Sequence, residues 1–391
     1  MFITNLTIFS EEGIIEQGFI EIDGEKIKRI GQMADFHASN QDEIISFDDS
    51  YSLIPGMIDL HIHGASGADV MDATPDALTT MANALPREGT TSFLATTMTK
   101  TKEDIERAIG NIAEYIPNQK PGHAEILGAH LEGPFLSPKR AGAQHPDNII
   151  HPDVELFNKW QTLSGDNIRL VTLAPEEPGG MALTSHLKKT GVVASIGHSD
   201  AVYEEVEAAI EAGVTHATHL FNGMRGIHHR EPGVAGAVLL HDEVKCEMIV
   251  DGIHIAPKMV KFAYKNKGSK GSILVTDAMR AKCLGTGTYD LGGQEVMVDE
   301  ERAVLKDGTL AGSILKLNDA VRNMMTFTDC TLQDITEMTA INPAKQINVF
   351  DRKGSIKAGK DADVVIVNEQ LEVVMTFCRG KLAYTKQEGI K

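Results

Sequence analysis

Leu53 to Gly64 reads LIPGMIDLHIHG. A largely apolar run, Leu53–Leu60, leads straight into His61-Ile62-His63. In extended backbone, residues i and i+2 face the same side. Two imidazoles at the end of such a strand can therefore converge on one metal ion, and histidine is a common ligand for zinc and other borderline divalent metals. An HxH pair alone is a weak signal. It gains force when further ligands stand at the ends of later strands.

Outward from this stretch, residues 53–354 alternate short apolar runs with helix-like segments, the pattern of repeated β/α units. Eight strands are predicted: Leu53–Leu60, Thr91–Thr96, Glu125–Leu131, Arg169–Leu173, Val192–Ile196, Thr215–Thr218, Cys246–Val250 and Ser272–Thr276. Helical patterns lie between them at Pro75–Leu85, Lys102–Tyr115, Val154–Leu163, Ala182–Lys189, Tyr203–Ala212 and Pro257–Lys265. Eight such units predict an α/β fold, a (β/α)8 TIM barrel. Residues 283–312 interrupt it with a Gly-rich stretch and a hairpin around Asp299–Arg302, and helical segments Lys316–Phe327 and Leu332–Ile341 then close it. The flanks differ. Residues 1–52 and 355–391 read as short strands broken by Glu-Gly, Asp-Gly and Arg-Gly turns, so both termini are expected to build one small β-domain.

Composition narrows the function. The chain has 391 residues, 42% hydrophobic and 24% charged, which is ordinary for a globular protein. Its formal net charge of −18 repels phosphate backbones and argues against nucleic acid as a partner. The four cysteines lie far apart and form no CxxC, which fits a reducing cytoplasm and supports no cysteine metal site. The first residues lack the basic and apolar regions of a signal peptide, and no segment reaches the length of a membrane span.

In a TIM barrel, catalytic groups come from the C-terminal ends of the strands. Here strand 1 ends in His61 and His63, strand 3 in Glu132, strand 5 at His198, strand 6 at His219 and strand 8 at Asp277. Asp251 and His254 follow strand 7. One histidine at a strand end is commonly a buried structural residue; a ring of them with carboxylates points to a divalent metal site. Glu132, His198 and His219 supply three ligands and leave room for water, which suits zinc or iron(II). His61 and His63 could hold a second ion, with Glu132 bridging. Strand 4 ends Leu173-Ala174-Pro175-Glu176, so no lysine is available there as a bridging ligand. Asp277 is the candidate proton acceptor and donor, with a helix N-cap as its alternative reading. His228, His229 and Arg230, with Arg225 before them, are a basic cluster in an acidic chain. Either a solvated loop or a phosphate clamp explains them.

PGMIDLHIHG, HLEGPF, IGHSDA, THLFNGM, REPG, DGIH, VTDAM and GKDADVVIV together resemble the amidohydrolase superfamily. More narrowly, they resemble its branch of N-acetylglucosamine-6-phosphate deacetylases, from end to end and in order. The resemblance implies a TIM barrel with a small β-sandwich made from both termini. It implies hydrolysis of the acetamide of N-acetylglucosamine 6-phosphate to glucosamine 6-phosphate and acetate. By motif, Glu132, His198 and His219 would be the shared metal ligands and Asp277 the catalytic acid/base. Ala143, Asn222, Gly223, Arg230, His254 and the loop Leu310-Ala311-Gly312 would contact substrate. Some relatives lack the HxH pair and hold one ion; this chain keeps His61 and His63, so one or two ions per subunit remain open. Gln144 and His145 both fit the place of a group near the acetyl carbonyl. Such proteins are commonly homodimers or larger, sometimes with the phosphate-binding arginine lent across the interface. The alternatives are a cyclic amidase or deaminase of the same superfamily, and a sensor that binds without turnover.

Overall fold

The computed structural model describes residues 1–386; the last five residues of the expected C-terminal flank lie outside them. Eight parallel strands form the central sheet: β1 (Met57–Ile62), β2 (Thr90–Thr96), β3 (Glu125–Glu132), β4 (Ile168–Leu173), β5 (Val193–Ile196), β6 (Val214–Ala217), β7 (Lys245–Ile249) and β8 (Ser272–Val275). They pair in sequence order from β1 to β8. The seam between β8 and β1 is closed by hydrogen bonds from Asp277 N to His61 O (2.8 Å) and from His63 N to Ala278 O (2.9 Å). Buried Asp59 reinforces it, accepting from Thr276 Oγ1 at 2.6 Å and from His61 N at 3.2 Å. This is the expected barrel, and its apolar strand residues fill the main core.

The intervening helices start where local chemistry directs. Thr74, Thr101 and Asp153 each accept a backbone N–H at the start of Pro75–Ala84, Lys102–Tyr115 and Val154–Leu163. One helix, Gly233–Leu240, escaped the sequence reading. It is buried on every side except at Leu240, so it has no polar face and no 3.6-residue pattern to detect.

The apolar run Leu53–Leu60 is not one strand but two. Ser52–Pro55 pairs with Phe2–Ser10 and Val364–Val367 in a separate sheet of the terminal strands, and Met57–Ile62 enters the barrel. Gly56 is the crossing point: a Cβ there would lie 2.1 Å from Thr91 Oγ1. The terminal sheet has eight strands around its own apolar core, including Ile3, Leu6, Ile20, Val364 and Phe377.

A buried ion cluster joins this sheet to the barrel. Lys353, 2% exposed, lies 2.7 Å from Glu125 at the start of β3 and also binds Asp363, which precedes Val364–Val367. Arg352 bonds Glu125 at 2.8 Å and Asp361 at 2.6 Å. Removing the lysine leaves buried carboxylates short of a counter-charge. Lys353→Met is therefore expected to cost about 3–5 kcal/mol of stability in denaturant unfolding; a change near zero would show that the cluster contributes nothing.

The stretch after β8 carries a three-stranded antiparallel sheet, Gly287–Leu291, Gln294–Val298 and Ala303–Val304. The expected turn at Asp299–Arg302 is present, and a second, at Gly292-Gly293, precedes it. This sheet packs on Met98, Met279 and Ala311 beside the mouth of the barrel.

Candidate active site

The strand ends converge at the C-terminal mouth of the barrel. Between Asp59 and Ile62, β1 advances three residues while β2 advances two, from Phe93 to Ala95. This bulge separates Asp59, which bonds across the seam, from the two histidines beyond it. His61 Nε2 and His63 Nε2 lie 3.3 Å apart. His198 Nε2 and His219 Nε2 lie 3.1 Å apart. Glu132 stands between the pairs: Oε1 is 3.4 Å from His198, 3.2 Å from His219 and 3.4 Å from His61, and Oε2 is 3.3 Å from His63. Asp277 Oδ1 is 3.2 Å from His63 and 3.4 Å from His61. All six groups are buried, and three sit on unusual backbone. His198, His219 and Asp277 have positive φ of 48°, 31° and 49°, a strained conformation for residues with side chains that recurs at functional sites. Glu132 is 2% exposed.

Two overlapping donor sets result, His61/His63/Glu132 and Glu132/His198/His219. Ligands bound at about 2.0–2.1 Å around a tetrahedral ion stand about 3.3 Å from one another, which is the spacing within both sets. The donors are imidazoles and carboxylates only, a set that suits a borderline divalent metal. Without an ion, burial disfavours charge on His63, but its contacts with Asp277 and Glu132 outweigh that and raise its pKa to about 9. Burial likewise pushes Glu132 and Asp277 upward, and the His61 charge with the neighbouring imidazoles overcomes it, holding both carboxyls below their ordinary range.

The cleft above is lined by His63, Glu132, His198, His219 and Asp277, and by Ala143, Asn222, Gly223, His254, Leu310 and Gly312. His61 lies beneath, fully buried. Gly223 has φ +56°, and a Cβ there would stand 2.9 Å from His198 Nδ1, so the loop can pass this histidine only as glycine. Two residues of the sequence reading lie elsewhere. Ala311 is buried in the core of the small three-stranded sheet. Arg230 is exposed, with its guanidinium 2.7 Å from His229 Nε2, and does not line the cleft. Of the pair left open, Gln144 lines the cleft and donates to Glu132 Oε2 at 2.7 Å, while its own oxygen accepts from Thr99 N. His145 does not line it.

The sequence reading missed Met98 and Leu291 on the cleft wall, and Glu247 behind it. Glu247 sits inside β7 among apolar residues; an acid in an otherwise buried strand was the available signal. Asp200 was also passed over. It receives Arg140 Nε and Arg225 Nη2, each at 2.7–2.8 Å, and so ties the loops after β3, β5 and β6 together at the rim.

The fold and the ligand ring define a metal-dependent hydrolase of the barrel type. The chain belongs to the amidohydrolase family, whose model matches residues 52–383. It is 48% identical over 391 residues to N-acetylglucosamine-6-phosphate deacetylase of Bacillus subtilis, covering 100% of this chain and 98% of that one. It is 37% identical to N-acetylgalactosamine-6-phosphate deacetylase of Escherichia coli, over 86% of this chain and 88% of the other. Among solved structures, an aspartate-to-alanine mutant of the Mycobacterium smegmatis N-acetyl-D-glucosamine-6-phosphate deacetylase, in complex with N-acetyl-D-glucosamine 6-phosphate, superimposes with a TM-score of 0.92 at 30% identity, covering 98% of this chain and 99% of that one.

Proposed function

We propose that this protein hydrolyses the acetamide of N-acetyl-D-glucosamine 6-phosphate, releasing acetate and D-glucosamine 6-phosphate. The observation that carries the reading is Asp277 set 3.2 Å from His63, beside two candidate metal-donor sets, in a cleft that it lines with Asn222 and His254. Glu132, His198 and His219 would hold one zinc or iron(II) ion, and His61 and His63 with Glu132 a second. Such an ion, when bound, supplies Lewis acidity toward the acetyl oxygen and lowers the pKa of water.

The protein groups do the rest. Asp277 is ionised at neutral pH, because its imidazole neighbours hold its pKa low against the effect of burial. It accepts the proton of the attacking water at Oδ1. It then returns that proton to the nitrogen as the C–N bond breaks, so the amine leaves neutral. Gln144 holds Glu132 in place through Nε2. His254, fixed by Asp251 at 2.6 Å, presents its ring to the sugar. Asn222, Gly223, Ala143 and the Leu310–Gly312 loop complete the sugar's surroundings. No lysine or arginine lines the cleft among the described residues. The phosphate's counter-charge is therefore supplied from outside it, by the exposed His228–Arg230 segment of this chain or of a second copy in a homodimer or larger assembly. A cytoplasmic location suits this reading.

The galactosamine relative makes the C4 epimer the second reading. The deciding experiment is acetate release from N-acetylglucosamine 6-phosphate, N-acetylgalactosamine 6-phosphate and unphosphorylated N-acetylglucosamine, with metal content measured. Turnover is expected with the first substrate and its loss on chelation. Faster turnover of the galacto epimer would move the assignment, and turnover independent of phosphate would sink the clamp.

A further inference from the structure

Glu247 is fully buried within β7 and does not line the cleft. An ionised carboxylate in such a place is costly unless its lone pairs are used. Here both oxygens are used, and toward the site. Oε2 lies 2.9 Å from His61 Nδ1 and accepts from the backbone N–H of His219 at 3.1 Å. Oε1 lies 3.0 Å from His216 Nε2.

An ionised carboxylate only accepts hydrogen bonds. In the neutral ring that a metal requires, the one proton of His61 is therefore on Nδ1, which leaves the lone pair of Nε2 facing His63 and Glu132. The other donor set has a matching device: His198 Nδ1 donates to Arg140 O at 2.7 Å, which turns its Nε2 lone pair toward His219. In each set the remaining ring, His63 or His219, has an Nδ1 with no partner among the described residues. So each set has one imidazole whose tautomer is imposed by an acceptor. For the set that includes the HxH pair, the acceptor is Glu247.

We infer that Glu247 is the positioning residue that makes His61 a ligand, so that occupancy of the His61/His63/Glu132 set depends on a side chain outside the cleft. The inference rests on the two-set reading above. Without Glu247, the Nδ1–H of His61 is buried and unsatisfied. The proton then moves to Nε2, where it blocks the donor atom. Outer-shell partners of this kind are worth about 10–100-fold in metal affinity. The Glu132/His198/His219 set keeps its own acceptor, so the loss falls on one set.

The test is zinc content per subunit at fixed free zinc, by equilibrium dialysis and elemental analysis, for wild type, Glu247→Met and Glu247→Gln. Wild type is expected to hold two ions and Glu247→Met one. Glu247→Gln is expected to hold two, since its amide oxygen can accept from His61 while its NH2 donates to His216 Nε2, the His216 ring carrying its proton on Nδ1 instead. A purely structural role would lower the melting temperature of Glu247→Met and leave its zinc count at two, which overturns the inference. One ion in wild type would overturn both this inference and the two-set reading. Should Glu247→Met not fold, the imidazole ¹H–¹⁵N spectrum of the zinc-loaded wild type decides. A slowly exchanging His61 Nδ1–H is expected there, and a proton on Nε2 would overturn the assignment.

Discussion

Asp277→Asn is expected to lower kcat for acetate release by about 10²–10⁴-fold, the range that a positioned general acid–base supplies. KM should change little. The substitution keeps the size and the polar contact with His63 and His61, which lie 3.2 and 3.4 Å from Oδ1. It removes the one property the reaction needs, the capacity to take a proton and return it. Because the carboxyl's pKa is held below its ordinary 3.8, the wild-type base stays ionised throughout the neutral range. The acid limb of the wild-type profile should vanish in the variant. The measurement is initial rate against pH for both proteins at matched metal content. A variant within about tenfold of wild type would assign the proton transfer elsewhere and leave Asp277 as a backbone-capping residue.

Glu132→Ala should have the larger effect on metal. Glu132 is the one side chain shared by both donor sets, with Oε1 facing His198, His219 and His61, and Oε2 facing His63. Its loss removes a ligand from each at once, and even outer-shell partners carry about 10–100-fold. Affinity is expected to fall by more than about 100-fold at both sets, and activity with it. The same residues make metal uptake depend on pH. In the metal-free protein the pKa of His63 is raised to about 9, because contact with Asp277 and Glu132 outweighs the effect of burial. A ligand must be deprotonated to bind. Uptake near pH 7 therefore releases protons to the buffer, and apparent affinity rises with pH until about 9. Calorimetry in buffers of different ionisation enthalpy measures that release. Retention of metal by Glu132→Ala, or uptake with no proton release, would contradict this account of the site.

The residues proposed to bear the chemistry were largely legible because they are local. Each candidate ligand closes a short apolar run, and strand ends of a parallel barrel gather at one mouth whatever the loops between them do. His61, His63, Glu132, His198, His219 and Asp277 could be named from this alone. Elements that lack a periodic pattern could not be found this way. Gly233–Leu240 shows no polar face because it is surrounded by protein. The two strands within Leu53–Leu60 look like one, since both are buried and only the close approach of Thr91 to Gly56 divides them.

By itself, then, the sequence determined the β/α repeat, the types of the candidate ligands and their order, since these follow from side-chain alternation and strand-end position. The tertiary structure decided which groups meet. It placed Gln144 rather than His145 in the cleft, left Arg230 outside it, and set Glu247 against His61 across 186 residues of chain. Those pairings depend on loop paths and on the curvature of the closed sheet. They arise from contacts distant in sequence, to which no local pattern of residues is sensitive.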